Sequence, residues 1–419
     1  MQMRTLAAIG IAAWMAMACF AQEAPLTLEA LEARAMRNNP TLAQAEAAVQ
    51  AAEGRRRQAG LWPNPTVGYA VEGLAFNGLV LPYHNEQYVF VEQTFITAGK
   101  LGKSRRIAAE EKSRAEADAE AQRLRVRNAV RMLYFEALGA QQRVELRRQL
   151  TALTREAAGI SDELYNVGRA DRPDVLAAEV ESQRAEIDLL RAENELARLW
   201  GVLAAVVNDP LLRPGRLAGT LESEAPKLDR DEILAALLRE SPEMKAAHAG
   251  VARARAILAR EKAEPKPDLF VRGAVGYNRD WADFFGGRVG WDSRIEAGVR
   301  LPLFNRNQGS VAAAQADLLQ AEKEVLRVEL TLRARLADSY TQYLNALGIA
   351  SRYSRDILPK AQRSYEMYLA KFRQMAAPYP QVLLSQRTLF EARTEYVGAL
   401  VALWQSITQL QGQLLRNNE

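Results

Sequence analysis

This chain is short of the residues that build reaction centres. One cysteine, Cys19, occurs among 419 residues, so no disulfide can form within the chain. The two histidines, His84 and His248, fall in unrelated stretches, and no HExxH, CxxC, P-loop or GxSxG pattern is present. Neither an enzyme, nor a resident metal, nor a cofactor is expected. A surplus of one charge is also missing: 55 Lys and Arg stand against 51 Asp and Glu, interleaved along helical patterns. That describes solvated helix faces rather than a nucleic-acid surface. Beyond the N-terminus no run reaches the roughly 18–20 consecutive apolar residues that a spanning helix needs.

The N-terminus itself reads as a secretory signal over residues 1–21. Arg4 precedes the apolar Thr5–Ala21, and small residues lie near a cleavage point. A membrane anchor is the competing reading, and the short run favours export. Cleavage after Ala21 is expected. Cys19 stands where a lipoprotein cysteine would, although Ala16-Met17-Ala18 before it makes a poor lipidation box. An exported chain without a spanning helix is periplasmic, secreted or a β-barrel.

What is present is length, helix and repetition. Thr27–Leu61 has a helical stripe interrupted at Asn38-Asn39-Pro40, with Thr27 as a cap. Trp62–Pro65 breaks it. Strands are expected near 65–73 and 86–95, then a turn at Gly99–Gly102. From Lys103 to about Leu164 there is no proline; roughly 60 helical residues would span on the order of 90 Å. The stripe through Ile107, Leu124, Val130, Leu138 and Leu150 suits helix-on-helix packing. Tyr165–Pro173 turns the chain, Asp174–Val207 returns as helix, and 209–229, rich in Pro and Gly, reads as a linker or equatorial segment. The order then recurs. Pro40 and Pro242, and Pro65 and Pro267, are each 202 residues apart in similar surroundings. Tyr165 with Val175-Leu176 is matched by Phe372 with Val382-Leu383. The mature chain is therefore two repeats, 22–208 and 230–419, of helix, β-hairpin, long helix, turn and helix.

The second hairpin, near 267–278 and 291–302, carries the functional signal. Ile295, Ala297, Val299 and Leu301 fall on one strand face, and Arg294, Glu296, Gly298 and Arg300 on the other. Pro302 closes the strand, and from Ser310 a helix begins. An apolar face backed by a charged one, with no further layer to cover either, is the pattern of a membrane-barrel strand. Thr66, Glu72, Arg272, Glu296 and Arg300 would then line a lumen; both signs occur, so they forecast no strong ion selectivity. Trp281, Phe284, Phe285 and Trp291 suit an interfacial girdle; Asp280, Asp283 and Asp292 beside them lack the spacing of a calcium loop. Met367 and Met375 read as packing rather than a copper site. Four strands cannot close a barrel, for which about eight is the minimum. The sequence thus demands an oligomer, eight strands from two chains or twelve from three.

Leu301–Gly309 (LPLFNRNQG), Leu164–Gly168 (LYNVG) and Ser385–Leu400 (SQRTLFEARTEYVGAL) resemble the TolC family of outer-membrane efflux channels. The first of these is most similar to its heavy-metal cation efflux branch, the CzcC/CusC-like proteins. The resemblance spans both repeats. It implies a mainly α fold with a small β part: a homotrimer with a 12-stranded transmembrane β-barrel in the outer-membrane lipid of a Gram-negative cell, and an α-barrel extending into the periplasm. It also implies partners, a periplasmic adaptor (a membrane fusion protein) and an inner-membrane pump of the resistance-nodulation-division type. Both would dock at the tips, 165–175 and 372–382. In this sequence those are Tyr165, Asn166, Val167 and Gly168, and Phe372, Met375, Pro378 and Pro380. The second tip departs from the family: Met375 replaces a Gly, Ala377 an Arg that gates some members, and Gln381 an Asp. If charge closes the pore, Arg169, Asp171, Arg172 and Asp174 are the candidates. Pro359 is expected to kink the second long helix. The expected function is a passive exit duct of a tripartite efflux pump, carrying heavy-metal cations. A drug or type I secretion duct of the same fold remains open, as does a periplasmic coiled-coil tether, against which the four amphipathic strands argue.

Overall fold

The structure, a computed structural model, describes residues 25–72, 86–168, 170–278, 290–374, 376 and 379–415. The expected signal segment with Cys19, and His84, Asp280 to Phe285, Arg169, Met375, Ala377 and Pro378, lie outside the described residues.

The chain runs α1 (Leu28–Asn38), α2 (Pro40–Gln58), β1 (Thr66–Glu72), β2 (Glu86–Phe95), α3 (Lys100–Asn166) and α4 (Arg172–Val207). The second half runs α5 (Arg230–Glu240), α6 (Pro242–Glu261), β3 (Leu269–Asn278), β4 (Trp291–Val299), α7 (Gln308–Arg352), α8 (Leu358–Arg373) and α9 (Tyr379–Gln411). The first helix, expected as one, is two. Asn39 stops α1, and its side-chain oxygen then accepts hydrogen bonds from the Thr41 amide (3.0 Å) and hydroxyl (2.7 Å), starting α2 behind Pro40. The long helices begin slightly earlier than expected, at Lys100 and Gln308. Strand β4 ends at Val299, short of Leu301. Before Pro359 the second long helical run breaks into a π-helical turn, Tyr353–Ile357, and restarts as α8 with Pro359 in its first turn. A π turn leaves the backbone donors that proline cannot supply differently paired, and so absorbs the interruption.

Two compact units divide the chain, and each draws on both repeats. Of the described residues, the first takes those within 25–43, 122–237 and 332–415. Its core joins Leu31 on α1, Val130 and Leu138 on α3, Leu199, Trp200 and Leu203 on α4, Leu336 and Tyr343 on α7, and Val401 on α9. Gly139 lets α3 and α9 touch: a Cβ there would stand 2.3 Å from Val401 Cγ2. The segment 209–229, expected as a linker or equatorial segment, is packed into this core. Leu217 and Leu221 are fully buried, Trp404 Nε1 donates to the Leu221 carbonyl at 2.9 Å, and Tyr343 donates to that of Pro226 at 3.0 Å. Proline and glycine prevent regular structure there, and aromatic donors from α7 and α9 satisfy the exposed carbonyls instead.

The second unit takes residues 44–121 and 238–331 and holds the sheet with α2, α6 and the initial parts of α3 and α7. The sheet is an antiparallel meander, β1-β2-β3-β4. The central pairing, β2 with β3, joins the hairpin of one repeat to that of the other. Lys100 is buried at the start of α3 and pairs with Asp268 at 2.9 Å; Asp268 also accepts from the Thr97 amide at 2.8 Å. Burial pushes the Asp268 carboxyl up, and these donors more than offset it, leaving it below its ordinary range.

Candidate functional site

Register turns the strand alternation into two whole faces. Val67, Tyr69 and Val71 on β1 share a face with Val89, Val91 and Phe95 on β2, Val271, Val275 and Tyr277 on β3, and Trp291, Ile295 and Val299 on β4. These side chains are mostly uncovered, with Gln87, Gln93 and Ser293 among them and Val71 and Val271 half-buried: Ile295 is 85% exposed, Trp291 80% and Val67 67%. Among the described residues, no helix is long and apolar enough to cross a membrane.

The opposite face is built from charge and aromatic rings. Arg272 lies in register between Glu92 and Glu296 and pairs with both, at 3.3 and 3.8 Å. Its guanidinium sits 4.1 Å over the Phe90 ring. Arg294 reaches from β4 across the small residues of β3 to stack 4.1 Å over Tyr88. There it pairs with Glu72 of β1 (3.4 Å), Asp292 (3.6 Å) and Glu86 of β2. Each arginine thus ties three or more strands through contacts that lie along, rather than against, the rings.

Three cross-strand neighbours explain how the rings lie flat. Gly68 faces Phe90, Gly276 faces Tyr88 and Gly298 faces Phe270. A Cβ at Gly68 would stand 2.4 Å from the Phe90 ring, and one at Gly298 2.5 Å from that of Phe270. At Gly276 it would also meet the Gln87 carbonyl at 2.3 Å, so the aromatic covers a backbone that only glycine leaves open.

Of the residues expected to line a lumen, Thr66, Glu72, Arg272 and Glu296 share this charged face, and Arg300 lies one residue beyond β4. Arg294, Glu86, Glu92 and Asp292 belong with them. The place of Arg294 was visible from the alternation of β4; the partners depend on register. Strands β1 and β4 are edges: among the described residues, neither has a second neighbour.

The first tip is a tight reversal in the first unit. Gly168 adopts φ +72°, and its amide donates to the Tyr165 carbonyl at 2.9 Å. Asp171 caps α4 through its backbone carbonyl, which accepts from the Asp174 amide at 3.1 Å, and Pro173 occupies the first turn. Val167 is 68% exposed at the apex, and Val175 is buried behind it. Val382, its counterpart in the second repeat, is buried too. Among the described residues, no ion pair joins Arg172 to Asp171 or Asp174. The Arg172 guanidinium lies instead 5.6 Å from the centre of the Tyr165 ring. At the second tip α8 ends in Phe372 and Arg373, the Ala376 amide donates to the Lys371 carbonyl at 2.8 Å, and Pro380 lies in the first turn of α9.

The sequence that builds this duplicated frame matches one family twice. The profile of the outer membrane efflux protein family covers residues 31–208 and again 233–414. The chain belongs to that family. It is 29% identical over 391 residues to the cobalt-zinc-cadmium resistance protein CzcC of Cupriavidus metallidurans, covering 92% of this chain and 89% of that one. Its fold is that of the outer membrane protein VceC from Vibrio cholerae (TM-score 0.75, 19% identity, 94% of this chain and 97% of that one). It is also that of CusC, studied for its transmembrane channel formation (TM-score 0.74, 17% identity, 93% and 92%). The double match of the outer membrane efflux family follows the internal duplication, one copy for each hairpin and helix pair.

Proposed function

We propose that three copies of this outer-membrane efflux protein join their sheets, β1 to β4, into a twelve-stranded barrel. The barrel is the exit of a tripartite pump, and the cargo is heavy-metal cations. One observation carries the reading: the sheet exposes its apolar face, pairs its charges on the other, and leaves two edges open. Lipid tolerates the apolar face but not unpaired edges, so further strands must cover them. In that barrel the apolar face meets lipid, and Thr66, Glu72, Arg272 and Glu296, with Arg300 at the rim, line the lumen. The helices extend into the periplasm of a Gram-negative cell. The tips around Tyr165, Asn166, Val167 and Gly168, and around Phe372, Met375, Pro378 and Pro380, meet a periplasmic adaptor and an inner-membrane pump. Asp171, Arg172, Asp174 and Arg169 are available to act between chains as a gate. The protein is a conduit and supplies neither catalysis nor energy. The cation cargo rests on likeness to the cobalt-zinc-cadmium resistance protein along nearly the whole chain.

The test is a strain lacking this protein, challenged with Zn²⁺, Co²⁺, Cd²⁺, Cu⁺, Ag⁺, dyes and detergents. Sensitivity to the metals alone is expected. Sensitivity to dyes without any metal effect would overturn the cation cargo and move the channel to drug efflux.

A further inference from the structure

Charge is nearly balanced over the chain, yet it is concentrated at one end of the sheet. Because the meander is antiparallel, β1 and β3 begin, and β2 and β4 finish, at the end that bears the helices. In the stretches 53–65, 96–106, 255–268 and 300–307, which take in the sheet-proximal helix ends as well as the connections, thirteen Lys and Arg stand against four carboxylates, Glu53, Glu261, Glu264 and Asp268. This local excess is larger than that of the whole chain, which carries a net charge of +4. The same end carries uncovered apolar side chains, with Trp62 57% and Phe304 92% exposed.

Within this collar a cavity of about 500 Å³ opens between the start of α3 and the end of α6. Lys103, Arg106 and Arg255 line it over a floor that includes Ala252, Ala256 and Ala259. Helix α3 starts with Lys100, Lys103, Arg105 and Arg106 and has no acid of its own in its first turn; the Asp268 carboxylate, paired with Lys100, is the anion that stands there. The three cations are only lightly engaged. Lys103 Nζ donates to the Ala98 carbonyl at 2.6 Å, and Arg106 and Arg255 make exposed pairs with Glu110 (3.2 Å) and Glu322 (3.1 Å). Such pairs hold weakly, and each cation retains free donors.

We propose that this cavity seats the phosphate headgroup of an anionic phospholipid, drawn from the leaflet at the helix-bearing end of the sheet. The inference rests on reading the sheet as a membrane wall. The alanine floor leaves room for the glycerol beneath a phosphate held by three cations. A zwitterionic headgroup would leave the charge excess of the collar uncompensated.

Full-length protein is to be reconstituted into vesicles of phosphatidylcholine, with and without added phosphatidylglycerol, then extracted, and the retained lipid counted by mass spectrometry. Wild type retains phosphatidylglycerol above its share of the bilayer. The variant Lys103→Gln/Arg106→Gln/Arg255→Gln inserts into phosphatidylcholine as wild type does, and its enrichment falls by about fivefold for each cation removed. Arg255→Lys keeps the enrichment, as does Lys360→Gln/Arg363→Gln/Lys371→Gln on the basic face of α8. No enrichment in wild type, or enrichment undiminished in the cavity variant, would overturn the lipid site while leaving the membrane wall standing. Failure of wild type to insert into either lipid would overturn both.

Discussion

In the core around Leu203 and Leu336 the large apolar side chains are sealed and the charges stand outside. In the sheet, Ile295, Trp291 and Val67 are among the most exposed apolar residues, and it is the arginines and carboxylates that are gathered together. The two regions thus place their apolar side chains oppositely. Where water surrounds the chain, burial of apolar area drives packing. In the proposed barrel the apolar face left open over four strands would meet lipid, and the polar face would turn to the lumen. The difference lies in which group is left without a protein partner.

The largest expected effects come from attacking each half of this comparison on its own terms. Leu203→Ala removes a fully buried side chain and should destabilise the first unit by about 2–5 kcal/mol, read by denaturant unfolding. Ile295→Ala, at an 85% exposed position, should change that unfolding hardly at all. Ile295→Arg should be the costly change in the sheet, by about 2–4 kcal/mol if the residue lies near mid-bilayer, measured as reversible partition into vesicles. Equal effects of Leu203→Ala and Ile295→Ala on unfolding would dissolve the contrast.

A smaller effect tests how the charged face is held. Gly276→Val drives a Cβ into the Gln87 carbonyl and the Tyr88 ring, and should cost about 1–3 kcal/mol in sheet stability. Gly273→Val on the apolar face of the same strand, where a Cβ meets nothing within 4 Å, should be tolerated. Thermal unfolding in detergent compares the two.

The smallest expected effect concerns pH. Hydrogen bonds from Arg56 and Arg57 hold the Glu53 carboxyl well below its ordinary range, against partial burial, and Lys112 at 3.6 Å adds to the pull. Because the folded value is the lower one, the contribution is complete above the ordinary carboxylate range and is lost as pH falls through the folded value. Glu53→Gln should therefore lower the thermal midpoint at pH 7, and the gap to wild type should close as the pH drops below about 4.3. A gap that widens in acid would refute this.

Much of this was legible one residue at a time. The period-2 alternation placed Ile295 and Arg294 on opposite faces, and the spacing of Pro40 with Pro242 exposed the duplication. What required the structure was pairwise. Nothing in the sequence says that Gly276 lies across from Tyr88, or that Arg294 reaches Glu72, 222 residues earlier in the chain. Composition left 209–229 open between a linker and an equatorial segment; in the structure Leu217 and Leu221 are buried and carbonyls of the segment are taken by Trp404, Tyr343 and Tyr340. Helix continuity across Asn39 failed for a local reason, since an asparagine that can cap the next turn competes with continuing the last one.

The central claim is that one face of the sheet meets lipid. In a Cys19→Ser background, single cysteines at 293 through 297 along β4 would carry nitroxide labels, and their collision with oxygen and with a water-soluble nickel complex would be measured in proteoliposomes. The account predicts alternation, with labels at 293, 295 and 297 favouring oxygen and those at 294 and 296 favouring nickel. Equal nickel access at all five positions would show that both faces stand in water, and would contradict the membrane wall.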